Sequence, residues 1–186
     1  MIELDDLKAV MEITDTESDT LLDRLIKVAQ TVIENYCKRT FTEGQFTEEC
    51  KGSGTQYLNL KHYPISTLTK VYENVNFIAD PIWNDITADT FLETESGQVY
   101  LHRGFYDKER HYKVQYKAGY KNDKIPEDIK QACIDIITYL YQNRKSQGLK
   151  SEQLGEYNYT KADLTGNIIR DLGLNVFLDP YRTPTL

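Results

Sequence analysis

The sequence predicts an α+β fold, a small antiparallel helical bundle with an inserted antiparallel β module. Three observations carry this. Apolar residues recur at helical spacing from Leu22 to Tyr36 and again from Ile129 to Tyr141. Between about Phe41 and Ala118 the period falls to two, and Val, Tyr, Phe and Thr dominate. Turn formers punctuate that middle stretch at Gly52–Gly54, Pro64, Asp80–Pro81 and Ser96–Gly97. The expected organisation is a bundle core from residues 1–41 and 120–150, a β module over 42–119, and a C-terminal arm over 151–186 with a short helix.

The elements follow in order. Leu4, Leu7, Val10 and Met11 mark a short first helix, closed by the turn-like TDTESD at 14–19. Ser18 or Asp19 then caps a long second helix whose apolar positions are Leu22, Leu25, Ile26, Ala29, Val32, Ile33 and Tyr36. Asp23, Lys27, Gln30 and Glu34 form its wet face, and Lys38 and Arg39 suit its negative end. The segments TQYLNL, LTKVYENVNFI, GQVYLH and HYKVQYKA read as strands, about five or six in all. In the last of these, Tyr112, Val114, Tyr116 and Ala118 alternate with polar residues, as a half-buried strand requires. A third helix starts at Pro126, with Glu127 and Asp128 in its first turn. A weaker helix is expected from Ala162 to about Leu172, before a tail broken by Pro180 and Pro184.

Composition and motif content exclude more than they assign. The formal charge is 22 − 29 = −7, which argues against a protein that grips nucleic acid by neutralising phosphates. Residues 1 to 23 concentrate the acidity, with eight carboxylates against Lys8 alone. No apolar run approaches a membrane span of about 20 residues, and no signal peptide is apparent, so the expectation is a soluble protein made in the cytoplasm. Cys37, Cys50 and Cys133 are odd in number and far apart, which argues against disulfides, and Cys37 and Cys133 fall on apolar helix faces as core thiols. His62, His102 and His111 have no second ligand at helical or turn spacing, so no metal is expected. No nucleophile elbow, zincin or phosphate-loop motif occurs, and KGSGT at 51–55 reads as a tight hairpin. The strand aromatics Tyr57, Tyr72, Phe77, Trp83, Tyr100 and Tyr116 suit a core or a protein interface better than a sugar or nucleic-acid platform. No catalytic residue and no cofactor are expected.

Four stretches together carry a family resemblance. They are LDDLKAVMEITDTESDTLLDRLIKVAQTVIENYCKRTF at 4–41, LKHYPISTLTKVYE at 60–73, YKAGYKNDKIPEDIKQACIDIITYLYQNR at 116–144, and SEQLGEYNYT with the terminal LDPYR. In this order they resemble the head–tail connector, or adaptor, proteins of long-tailed double-stranded DNA phages and their prophage relatives. The resemblance implies a virion protein of the head–tail interface, a homo-oligomeric ring of about twelve subunits below the portal protein. Such a ring continues the DNA channel toward stopper or tail proteins, and the DNA passes without specific binding. It also implies that the C-terminal part docks on the portal, here through Leu154, Tyr157, Tyr159, Phe177, Leu178, Pro180, Tyr181 and Arg182. Asp5, Asp6, Glu12, Asp15 and Glu17 are candidates for the channel face, where like charge keeps DNA from sticking. A virion decoration or receptor-binding protein using the Trp83 region is the alternative, and a small hydrolase with a carboxylate pair is a third class.

Overall fold

The computed structural model describes residues 1–76, 80–105, 111–145 and 167–183, together with the backbone of 151–154 and 157–160. In chain order its elements are α1 (Leu4–Val10), α2 (Asp19–Cys37), β1 (Gly44–Lys51), β2 (Tyr57–Asn59), β3 (Ile65–Asn74), β4 (Trp83–Asp85), β5 (Thr90–Glu93), β6 (Gln98–Leu101), β7 (His111–Ala118), α3 (Glu127–Gln142), β8 (Ser151–Leu154), β9 (Tyr157–Thr160), α4 (Ile168–Asp171) and α5 (Asn175–Leu178). They form two compact units, Met1–Lys38 with Pro126–Leu186, and Arg39–Ile125. The fold is α+β, as the change of hydrophobic period predicts.

The helical unit is built on α2 and α3. The first buries Leu22, Ala29, Ile33 and Cys37, the second Ile129, Ala132, Cys133, Ile136 and Ile137. Ser18, just before α2, lies 3.0 Å from the Tyr141 hydroxyl near the end of α3, so the two helices run antiparallel. Lys38 ends α2 in a left-handed conformation, with its N–H on the Glu34 carbonyl. Pro126 precedes α3, and its carbonyl accepts from the Ile129 and Lys130 N–H groups. The short α1 buries Leu7, and Lys8 holds Asp19 at 2.6 Å.

Of the helix expected from Ala162 to about Leu172, residues 162–166 lie outside the described residues, and the described part forms a short helix. The Asn167 side chain caps Arg170, α4 begins only at Ile168, and Gly173 at φ +70° ends the turn. Ile169, Leu174 and Leu178 are buried. Three bonds tie this stretch to the end of α2. Tyr36 donates to Asp179 at 2.6 Å, the Cys37 thiol to the Leu178 carbonyl at 3.7 Å, and the Thr183 N–H to the Cys37 carbonyl at 2.9 Å. Sequence periodicity misses this because the anchors sit on two separate turns. Between the bundle and this stretch, β8 and β9 pair as an antiparallel hairpin with Leu154 opposite Tyr157.

In the β unit, the described strands all pair antiparallel, and one isolated parallel bridge joins Thr42 and Tyr120. One sheet has the order β1-β7-β3-β4 and the other β2-β6-β5. Their core joins Ile65, Val71, Tyr112, Val114 and Tyr116 of the first to Leu58, Val99 and Leu101 of the second, with Phe105 and Ile86 from connections. The seven strands among the described residues exceed the expected five or six, because β1 and β5 carry too many polar residues to stand out. KGSGT is not a tight hairpin, since β1 pairs with β7 and β2 with β6. It carries the chain from one sheet to the other, with the Ser53 hydroxyl accepting the Thr55 N–H.

The two ends of the β unit are fastened together. The Tyr120 N–H donates to Phe41 at 2.7 Å and the Glu43 N–H to Tyr120 at 3.0 Å. Gly119 lies between them at φ +102°, where a Cβ would come 2.5 Å from the Thr42 carbonyl oxygen. No side chain fits there.

Three substitutions test this packing. Leu178→Ala is expected to lower unfolding free energy by about 3 kcal/mol, because Leu178 is fully buried. Val176→Ala, at an exposed position, should change it by under about 0.5 kcal/mol. Gly119→Ala is expected to cost roughly 3 kcal/mol, from a strained φ plus the clash with backbone. Denaturant unfolding of each variant measures all three.

Candidate interaction surfaces

The polar clusters inside the β unit brace the fold. Glu73, 3% exposed, receives both Nη1 and Nη2 of Arg103, at 3.1 and 2.6 Å, and the Tyr112 hydroxyl at 3.3 Å. This clasp joins β3 to the connection after β6 and to β7, and the fork geometry compensates the buried carboxylate. Glu48 on β1 accepts from Tyr116 at 3.0 Å. Burial raises the pKa of the Glu48 carboxyl, and burial followed by the Glu48 charge raises that of the Tyr116 hydroxyl.

A second cluster grips the chain where it enters the β unit. Arg39 is buried, donates through Nη2 to the Tyr63 carbonyl, and lies over the rings of Tyr63 and Phe41 at 3.4 and 4.9 Å. Its Nε and Nη1 have no hydrogen-bond partner among the described residues, so the two ring faces carry the compensation. The next residue, Thr40, donates its N–H to His62 Nδ1 at 3.1 Å. That imidazole stacks on Phe46 with ring centroids 3.9 Å apart. Burial lowers the His62 pKa, and the neighbouring Arg39 and Lys61 charges lower it further.

Of the other histidines, His102 is exposed beside the Tyr100 hydroxyl and His111 is exposed at the start of β7. The three histidines thus serve different places. Among the described residues no group of three or more metal-ligating side chains occurs.

The sequence-predicted surface residues separate on inspection. Asp5, Asp6, Glu12, Asp15 and Glu17 are all exposed on α1 and the connection to α2. Phe177 and Pro180 are exposed beside Val176, which is 72% exposed. Leu178 is the correction, because it faces its own bundle and offers nothing to a partner. Tyr181 is half-buried and reaches Asp128 at 3.5 Å, and Arg182 lies 3.7 Å from Asp179 and above the Tyr36 ring. Leu154, Tyr157 and Tyr159 fall on the hairpin strands, with Leu154 opposite Tyr157 and Glu152 opposite Tyr159 in the backbone register. Trp83 is half-buried with the Lys113 ammonium 4.2 Å over its ring, and Phe77 lies outside the described residues.

Sequence reasoning named Tyr57 and Tyr100 as core or interface aromatics but missed Phe91 and the row that the three rings form. On the outer side of the three-stranded sheet, Tyr57 is opposite Tyr100, and Tyr100 is opposite Phe91. The rings form one row, with centroids 5.3 and 6.2 Å apart, and Phe91 is 64% exposed. Alternation in QVYL and TFLE was the available signal, with Val99 and Leu92 turned inward. Only the register aligns the three rings.

These features describe a protein that works through its surfaces, with its polar clusters spent on bracing. The model of the head completion protein family matches residues 1–165, and the chain belongs to that family. It is a structural protein and not an enzyme. No curated protein matches the sequence closely enough to count as a relative. Among solved structures, the chain is similar to one in the neck of an empty gene transfer agent particle computed with C6 symmetry. The two are 11% identical, with a TM-score of 0.63 over 100% of this chain and 91% of that one. A chain in the neck of the native particle computed with C12 symmetry is 14% identical, with a TM-score of 0.57 over 89% and 84%. A third, in the virion of the native particle, is 14% identical, with a TM-score of 0.58 over 94% and 82%. At these identities the likeness is one of fold. No helix among the described residues is long and apolar enough to cross a membrane.

His62 sets a pH dependence. Its folded pKa lies below the unfolded value of about 6.5. The unfolded chain therefore takes the proton first, and stability falls as pH drops from about 6.5 to the folded value. Glu48 has the opposite sign, because its raised folded pKa relieves a penalty as pH falls toward about 4.3. Unfolding free energy measured between about pH 7.5 and 5.5 should fall for the wild type and stay flatter for His62→Gln.

Proposed function

We propose that the chain is one subunit of a cyclic connector ring of about twelve copies, seated below the portal in the virion neck. The ring continues the DNA channel toward stopper or tail proteins. The observation that carries this reading is membership of the head completion protein family over residues 1–165. The likeness of fold to chains in necks computed with C6 and C12 symmetry supports it.

In this reading the C-terminal part meets the portal with its outer side. Leu178 and Tyr181 hold the segment to the bundle from behind, while Phe177, Pro180 and Arg182 present the contact surface. The hairpin adds Leu154, Tyr157 and Tyr159. Many weak contacts repeated around a ring bind firmly where one copy alone does not. The exposed carboxylates of Asp5, Asp6, Glu12, Asp15 and Glu17 face the channel, where like charge lets DNA slide past. A receptor-binding role through Trp83 has little surface to use, because the ring is half-buried under Lys113.

Sedimentation of the full chain with portal-bearing heads tests this. Wild type is expected to bind as a closed ring visible in averaged electron micrographs. Phe177→Asp should fold normally and bind at least about tenfold more weakly. Binding of single copies without ring closure, or undiminished binding of Phe177→Asp, would sink the corresponding half of the reading.

A further inference from the structure

We infer that neighbouring copies in the ring meet through two different patches, the Tyr57–Tyr100–Phe91 row of one copy and the Arg24–Lys27–Val28 stripe of α2 in the next. The inference rests on the ring reading above and names the surfaces that close it.

A closed ring of more than two copies needs heterologous contacts, in which each copy offers two unlike and complementary surfaces. The aromatic row is one. Tyr57 and Phe91 are exposed at the two edges of the three-stranded sheet, with Tyr100 between them. Aromatic side chains of this kind are what protein interfaces enrich. The next row on the same face is polar, with Gln98 donating to Asn59 at 2.8 Å and Glu93 completing it beside Phe91.

Charge makes the patch one-sided. Asp89, Glu93 and Glu95 are all exposed along β5 and its flanking turns, and of the three Asp89 also lies within the field of Arg103. At the far end of β6 the exposed His102 adjoins Tyr100, and Arg103 is engaged by Glu73. The face is therefore aromatic with an acidic border, and it fits a surface that is aliphatic and cationic.

The chain carries such a surface on its other unit. On α2, Arg24, Lys27, Val28 and Thr31 follow one another at i, i+3, i+4 and i+7, and all are exposed. They lie opposite the buried stripe of Leu22, Ala29 and Ile33. Neither Arg24 nor Lys27 has an ion pair among the described residues. Asp23 and Glu34 border one side of the stripe, but its centre is basic. Long cationic stems pack along aromatic rings while their charges reach carboxylates at the border. The two patches thus match in both apolar character and charge. They are two unlike surfaces of the chain, as a head-to-tail contact demands.

Charge reversal tests the pairing in the full chain. One variant carries Arg24→Glu with Lys27→Glu, the other Glu93→Lys with Glu95→Lys. Each alone sets like charges against each other at every contact, and assembly measured by sedimentation, alone or on portal-bearing heads, should weaken about tenfold or more. Mixed in equal amounts, each variant complements the other at both patches. The mixture should regain the wild-type ring, with the two variants alternating at one to one. Either variant assembling as well as wild type, or a mixture that stays apart while both components melt like wild type, overturns the pairing. A wild type that forms no closed oligomer in either setting overturns the ring reading itself. Should a reversal fail to fold, Lys27→Gln and Glu93→Gln replace it. Assembly of the wild type should then weaken with added salt and that of the neutral variants should weaken less, and equal salt dependence overturns the pairing.

Discussion

The backbone clip between residues 41–43 and 119–120 is the constraint on which the rest depends. An insertion of strands between two helices of one bundle is tolerable only if its ends come back together. The Tyr120–Phe41 and Glu43–Tyr120 hydrogen bonds bring them within a ladder's width, and the cavity-free turn at Gly119 makes that approach sterically feasible. Arg39 and Thr40 extend the clip on its entry side by fastening to Tyr63 and His62. With the ends closed, α2 and α3 can lie side by side as if joined by a short loop, and the β unit can complete its own core.

The same economy shapes the polar interior. Glu73 with Arg103 and Arg39 with Tyr63 each span segments that no shared strand pairing would otherwise bring together, and Glu48 with Tyr116 braces the paired strands β1 and β7. A buried charge of this kind adds little net stability once its desolvation is counted, but losing one partner is costly. Its effect is to specify one arrangement of the connections. That is a suitable investment for a protein whose task is to present surfaces in a fixed geometry.

Much of this was legible in the residues. The two long helices follow from period alone, and the β region from the change of period. The Ala-Gly-Tyr step that helps carry the family resemblance has a physical cause, since Gly119 admits no Cβ and Tyr120 supplies the clip. Less was legible where pattern and register part company. The strands β1 and β5 are half polar and short of β-branched residues, so composition hides them. Phe91 looks like an ordinary strand residue until pairing with β6 aligns it with Tyr100 and Tyr57. In the tail, prolines and scattered leucines suggested an arm without a core of its own. Ile169, Leu174 and Leu178 instead find the bundle through two separate turns, a spacing that no single helical period reveals. Arg182 and Phe177 keep the exposure that the tail composition implied.

The clipped insertion also orders events in time. The partners α2 and α3 are separated in the chain by the whole β unit, so a helix pair that is local in space is distant in sequence. Closing so long a loop through unstructured chain is entropically unfavourable, whereas closing it through a folded unit with adjacent ends is nearly free. The β unit is therefore expected to close on itself before the helical unit consolidates. The surfaces built on that unit, the acidic α1 and the C-terminal turn, mature last.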